Sequence, residues 1–407
     1  MARLDLLIKA GRVVDPGRGI DQRLDIGISG TRIVSIGAGL PESDAVRVLD
    51  VSGPDRIVTP GLIDIHTHVA YGASTAGVGM ECSKPDEAGV QSGVTTIVDA
   101  GSAGVSNFGV LPAHLLPHAK TDVLCFLNVG SYAHTMSGRA DVERIDEVNA
   151  HAISLCIENN PALVRGLKLR LVGRIVSECG DALIDAATSI AREHDIPLMV
   201  HIGDPRADQR PHPERLRHLT ASLLGKLRAG DIVTHLCTPA FGGIDDDPTR
   251  LEPLAQEARQ RGVIFDAAVG QGHLGYATAL GQYQRGLRPD TISSDLTGRT
   301  QRLHSLVECM SKFMAIGYSL PDVVRMTTVN AASAIKLADS AGAVAVGRQA
   351  DITILDVISG SFEFRDAHRR AFTGRRAIVP VLTVKAGAVH EPGPGPHPWG
   401  WLPAAPE

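Results

Sequence analysis

The sequence predicts an α/β protein, a (β/α)8 TIM-like barrel with a small β-sandwich domain assembled from both chain ends. Three observations carry that prediction. Short apolar runs alternate with helix-like stretches through the middle of the chain. Both ends have a different texture of brief alternating runs punctuated by Gly, Asp and Ser. Residues able to ligate metal close several of the central runs, where a barrel gathers its chemistry.

The N-terminal residues mix apolar alternation with turn residues in LDLLIKAGRVVD, RLDIGISGTRIVSIG and RVLDVSG. GRQADITILDV and AIVPVLTVKAGAVH repeat that texture near the other end. The sequence therefore divides into a β-sandwich of residues 1–58 and 342–395, a barrel of residues 59–341, and a tail of residues 396–407. The tail is Pro/Gly-rich and aperiodic, which suggests a loose segment or an arm that docks on another subunit.

Eight central runs read as barrel strands: LIDIHTHV, VTTIVDAG, VLCFLNVG, LVRGLKLRLVG, IPLMVHIGD, DIVTHLCTP, GVIFDAAVG and DTISSDLTG. Most are apolar throughout, as strands covered on both faces must be. A doubly wound open sheet is the competing architecture, and it calls for a glycine-rich phosphate turn after the first strand. Here the first strand ends in HTHV.

Composition bounds the function. The chain of 407 residues fits one barrel and a smaller module. A hydrophobic share of 43% and a charged share of 21% are those of an ordinary globular protein. A net charge of −5 without a Lys/Arg block argues against nucleic acid as partner. No window is apolar for the ~18 residues that suggest a membrane span, and the N-terminus does not read as a signal peptide. Six scattered cysteines without a C-x-x-C pair suggest reduced thiols and a cytoplasmic location. The expected partner is a small-molecule substrate, and the expected assembly a homo-oligomer.

His66 and His68 lie at i and i+2 on the first run, so both project to one side about 7 Å apart at the backbone. They could converge on one ion, or be a chance polar pair at a strand end. His201 and His235 close the fifth and sixth runs. One such histidine is readily a hydrogen-bonded core residue, but equivalent places on adjacent strands favour ligands. Four histidines exceed the three protein ligands of a usual catalytic zinc, which argues for two ions. Asp295 on the eighth run could ligate and accept a proton, or simply cap a helix. Lys168 on the fourth run is costly to bury unless paired or neutralised. It could pair with an interior carboxylate, or take up carbon dioxide and become an anionic carbamate that ligates metal. Arg170 lies on the same face, deeper in the barrel or positioned to steady an anion.

In this order H-x-H, Lys, His, His and Asp resemble the amidohydrolase superfamily over nearly the whole chain. PGLIDIHTH is similar to its first-strand signature. TTVNAASAIKL followed by GRQADITILD is similar to its exit into a urease-type β-sandwich. The resemblance implies two divalent ions, zinc by preference. It implies that His66, His68 and Asp295 bind the buried ion, that His201 and His235 bind the exposed one, and that N6-carboxylated Lys168 bridges them. It also implies Asp295 as general base in hydrolysis of an amide or ester by metal-activated hydroxide.

The chain most resembles the deacetylase group often labelled dihydroorotase. Dihydroorotases usually carry a carboxylate-binding Arg two residues after H-x-H, and here that residue is Ala70. The seventh-strand loop, FDAAVGQGH, also differs from the Gly-His-Gly-Gly type associated with the deacetylases. A cyclic-amide hydrolase of the hydantoinase or dihydroorotase kind and a lactonase are the alternatives, and a non-catalytic barrel scaffold is the alternative of another class. Substrate contacts are expected from Tyr132, His134, Arg139, Gln271 and His273, with His273 preferred as catalytic donor because it lies one loop before the base.

Overall fold

The computed structural model describes residues 3–73, 82–133, 142, 144–173, 178–209, 212, 214–298 and 304–404. His134 and Arg139, expected at the substrate, lie outside the described residues.

The two chain ends meet in one sheet. Its N-terminal strands are β1 (Leu4–Asp15), β2 (Ile20–Ser29), β3 (Arg32–Gly37), β4 (Ala45–Asp50) and β5 (Arg56–Pro60). The barrel supplies β6 (Leu62–Thr67), β7 (Val94–Ala100), β8 (Asp122–Asn128), β9 (Val164–Arg170), β10 (Leu198–His201), β11 (Ile232–Thr234) and β12 (Ile264–Asp266). The C-terminal strands β13 (Ile352–Arg365), β14 (Ala371–Lys385) and β15 (Ala388–His390) return to the first sheet.

That sheet runs β15-β14-β13-β5-β1-β2-β3, with β4 also on β1. The seam between the chain ends is the antiparallel pairing of β5 with β13, from Pro60 opposite Ile352 to Arg56 opposite Asp356. Arg56 and Asp356 reinforce it with two parallel bonds of 2.9 Å. The sheet encloses an apolar cluster drawn from both ends, including Ile8, Ile26, Ile28, Val58, Ile352 and Val384. Each such side chain contributes roughly 1.5–3 kcal/mol on burial, so the two ends are held by packing as well as by the seam.

Strands β6 to β12 form a parallel sheet in sequence order. β6 and β7 are buried at every residue, which explains their unbroken apolar patterns. The eighth run does not form a ladder. It closes the barrel through isolated bridges, Thr291 with Asp266 and Leu296 with Thr67. Backbone bonds from Val269 to Ser293, Asp295 to His66 and His68 to Leu296 complete the closure. Regular pairing fails because Asp295 adopts a left-handed φ of 52°, outside the extended range of a strand.

Helices such as Gly180–Glu193, Arg215–Lys226 and Pro248–Gln260 cover the later strands. The β7–β8 crossover instead carries a five-residue turn of π type, Leu111–Leu115. Pro112 and Pro117 lie in or beside it, and neither can donate a helical hydrogen bond.

The described end of the chain does not hang loose. His397 bonds Glu308 at 2.8 Å, Trp401 donates to the Gly393 carbonyl at 2.9 Å, and Glu363 donates to the Ala404 carbonyl at 2.8 Å. Pro and Gly remove periodicity from this segment, but its aromatic and histidine side chains still find partners on the chain's own surface.

Candidate metal centre

Every ligand expected from the sequence points into one chamber at the C-terminal ends of the barrel strands. Two groups of donors form there. His66, His68 and Asp295 make one, and His201, His235 and His273 make the other; within each, one ligand atom per residue lies within 4.8 Å of the others. The rings of His66 and His235 connect the groups, with centroids 5.1 Å apart. Lys168 stands beside the first group, its Nζ 2.8 Å from His66 Nε2.

Hydrogen bonds decide which nitrogen each ring presents. His66 Nδ1 meets Thr234 Oγ1 at 2.9 Å, and His68 Nδ1 meets Ser102 Oγ at 2.7 Å. Both Nε2 atoms are left facing Asp295 Oδ1, at 3.4 and 3.3 Å. His235 Nδ1 is held by the Ala268 carbonyl at 2.8 Å, while its Nε2 is buried without a partner among the described residues. His201 is turned the other way, with Nε2 on the Gly203 carbonyl at 3.0 Å, which leaves Nδ1 as its donor atom. Histidines that ligate metal usually have the second nitrogen held in this way. The orphaned Nε2 of His235 is the clearest mark that the donor set fits a cation, because a buried polar atom seldom lacks a partner.

Electrostatics agree with the geometry. Burial holds His66, His201 and His235 well below the ordinary histidine value, so the rings are neutral donors. Burial brings Lys168 down to about 7, against the pull of Asp295. Much of its amine is therefore unprotonated and nucleophilic at neutral pH. Burial pushes Asp295 up, but His68, His273 and Lys168 outweigh it and hold the carboxylate below its usual range.

The local backbone is unusual here. His235, Ala268 and Asp295 take left-handed φ angles of 73°, 36° and 52°. Strain of this kind persists where surrounding bonds over-determine the conformation, and it gathers at functional sites. Gly270 packs so closely that a Cβ would fall on the Asp295 carboxylate. At Gly101 a Cβ would come within 2.7 Å of Lys168 Cγ. Both glycines leave room for a reacting or ligating side chain.

His273 lies nearer the ligands than a loop residue need. Its ring stacks on His235 with centroids 3.8 Å apart, and its Nδ1 is 3.3 Å from Thr238 Oγ1. Burial lowers it to about 4. The geometry admits it as a third donor to the second group or as a hydrogen-bond donor to substrate. Tyr132 is 49% exposed and Gln271 lies on the surface of its loop, so neither is drawn into the chamber as His273 is. Arg170 is close enough to depress Lys168, His201 and His273 by its charge. Ala70 is fully buried, and its amide donates to Asp99, so the position offers no group to a substrate carboxylate.

The layer behind the candidate ligands is not legible in the sequence. Asp99 accepts from the amides of Val69, Ala70 and Ser102. Asp266 accepts from three hydroxyls and lies 3.8 Å from His66 Nδ1. Burial pushes Asp266 up to about 6. The available signal was that VIFD closes its apolar run with a polar residue, as LMVH and IVTH do.

The amidohydrolase family model matches residues 57–389, and the chain belongs to that family. It is 29% identical over 392 residues to a deacetylase of Agrobacterium fabrum, covering 94% of this chain and 92% of the other. The solved structure of an adenine deaminase superposes with a TM-score of 0.82 at 27% identity, over 95% of this chain and 100% of that one. A dihydroorotase structure superposes with a TM-score of 0.81 at 27% identity, over 95% and 99%. Fold, family and donor groups together make the chain a metal-dependent amidohydrolase.

Proposed function

We propose that the chain hydrolyses an amide or ester of a small acylated substrate, as a deacetylase does, with Asp295 as general base. The observation that carries this reading is that the two donor groups adjoin through His66 and His235, with Lys168 beside His66. His66, His68 and Asp295 would hold one ion, and His201 and His235 the other. Lys168, carboxylated on Nζ, would lie between them. The low basicity of Lys168 supports that modification, because attack on carbon dioxide requires the neutral amine. Mixed nitrogen and oxygen donors suit zinc.

When bound, such a pair of ions lowers the pKa of water and polarises a carbonyl. Asp295, ionised at neutral pH, takes the proton that the water gives up and returns it to the leaving nitrogen or oxygen. With the Thr238 hydroxyl donating to its Nδ1, His273 would carry its own proton on Nε2 and donate it to the substrate carbonyl. The buried ring wall around them keeps bulk water from the charge that develops.

Likeness to a dihydroorotase structure favours cyclic-amide hydrolysis as the second reading. Ala70 weighs against dihydroorotate itself. A cytoplasmic location fits six cysteines that form no disulfide among the described residues. A homo-oligomeric assembly is also proposed, and sedimentation velocity would read it.

The test is a hydrolysis screen of the zinc-loaded enzyme against N-acyl amino acids, acetylated hydroxy acids, cyclic amides and lactones. Turnover of an acylated amine or alcohol supports the reading. Turnover confined to rings transfers it to the second.

A further inference from the structure

Asp266 ends β12 with no accessible surface. Its carboxylate is caged by hydroxyls. Oδ1 accepts from Thr291 at 2.8 Å and from Ser293 at 2.9 Å. Oδ2 accepts from Thr234 at 2.8 Å and from Ser293 at 2.7 Å. Thr234 lies beside His235, and its Oγ1 is also 2.9 Å from His66 Nδ1. Thr291 and Ser293 belong to the eighth segment, which carries Asp295 and lacks a ladder of its own.

The hydrogen count gives this cage a direction. A threonine hydroxyl has one proton, and an ionised carboxylate can only accept. The Thr234 proton is committed to Asp266, so Oγ1 must accept from His66. That places a proton on His66 Nδ1 and leaves Nε2 as a lone-pair donor toward Lys168 and Asp295. The same carboxylate accepts from two hydroxyls of the eighth segment, Thr291 and Ser293, whose bonds stand in for the missing strand pairing just before Asp295.

We propose that Asp266 is a positioning residue for one ion site. Through Thr234 it fixes the tautomer of His66, and through Thr291 and Ser293 it holds the segment that presents Asp295. It thereby aligns two of the three donors in one group and none in the other. The proposal rests on the two-ion reading above, and the experiment separates the two.

The experiment has a readout that needs no metal. Nitrogen-15 NMR of the metal-free protein reports the His66 tautomer in the wild type and in Thr234→Ser and Thr234→Val. Zinc titration against a chelator then gives both affinities for the same proteins and for Asp266→Asn. The wild type and Thr234→Ser should carry the proton on Nδ1. Thr234→Val should lose the bonded Nδ1 proton and weaken one zinc site by about 10- to 100-fold, with the other unchanged. Asp266→Asn should weaken the same site. Should it fail to fold, the Thr234 pair decides alone. A wild type that binds two zinc ions with His66 protonated on Nε2 overturns the positioning role, as do wild-type affinities in Thr234→Val. A wild type with Nδ1 protonated but no zinc affinity overturns the metal reading instead.

Discussion

Lys168 Nζ lies 2.8 Å from His66 Nε2, so the amine of one expected ligand touches the donor atom of another. Both side chains are only 1% exposed. A protonated amine there would face neutral rings with little solvent to stabilise it, which is why burial brings Lys168 to about 7.

Lys168→Ala should therefore lose bound metal and activity together. The affinity loss should reach at least the about 10- to 100-fold seen for weaker supporting contacts. Short carboxylic acids should restore part of both by occupying the space of the missing carbamate. Full metal occupancy in this variant, measured by elemental analysis, would remove the bridging role.

Asp295→Asn should leave metal content largely intact and lower kcat by about 10²–10⁴-fold, the range of general acid–base catalysis. The amide keeps the shape but cannot take a proton. Stopped-time assays beside metal analysis would check this, and normal turnover would contradict the assignment.

His273→Ala should keep both ions and lose about 10²–10³-fold in kcat, as removal of a donor to a developing oxyanion does. On the proposed reading, His201, His235 and Lys168 would already give their ion three protein donors, the usual number for catalytic zinc. Loss of one ion per chain in this variant would make His273 a ligand.

The metal-free protein should lose stability on acidification. Burial holds His273 and His304 at about 4, and His66, His201 and His235 well below 6.5. In the unfolded chain histidine titrates near ~6.5. Between those values the unfolded chain binds more protons, so stability rises with pH. Asp64 and Asp266, raised to about 7 and about 6 by burial, act oppositely, because the stability of their protonated forms is lost as pH rises through those values. Five histidines outweigh two acids. Thermal midpoints should climb from about pH 4.5 to about pH 6.5. A flat or falling profile would show that the rings are charged in the folded protein.

The candidate ligands His201 and His235 were legible because each closes an apolar run, and buried strands leave few polar residues to choose from. Lys168 inside GLKLRLV and Asp295 in ISSDLTG stand out instead as charged residues on barrel segments. The barrel was legible through the same runs, yet the ladder of the eighth was not, since nothing in TISSD announces a left-handed Asp295. The partners of His66 and His68 were hidden because Thr234 and Ser102 are ordinary residues in or beside strands. Their role depends on which neighbouring strand they face. Stacking of His273 on His235 was hidden for another reason, as a loop has no periodicity from which to read direction. The bonds of the tail were not legible because Pro and Gly composition reports missing periodicity, whereas Trp401 and His397 dock by individual bonds.

The central claim is a two-ion centre joined through Lys168. Elemental analysis of the purified wild type and of Lys168→Ala, per mole of chain, tests it most directly. The account predicts two divalent ions in the wild type and their loss from the variant. A wild type that hydrolyses substrate without metal, or a variant that retains both ions, would contradict it.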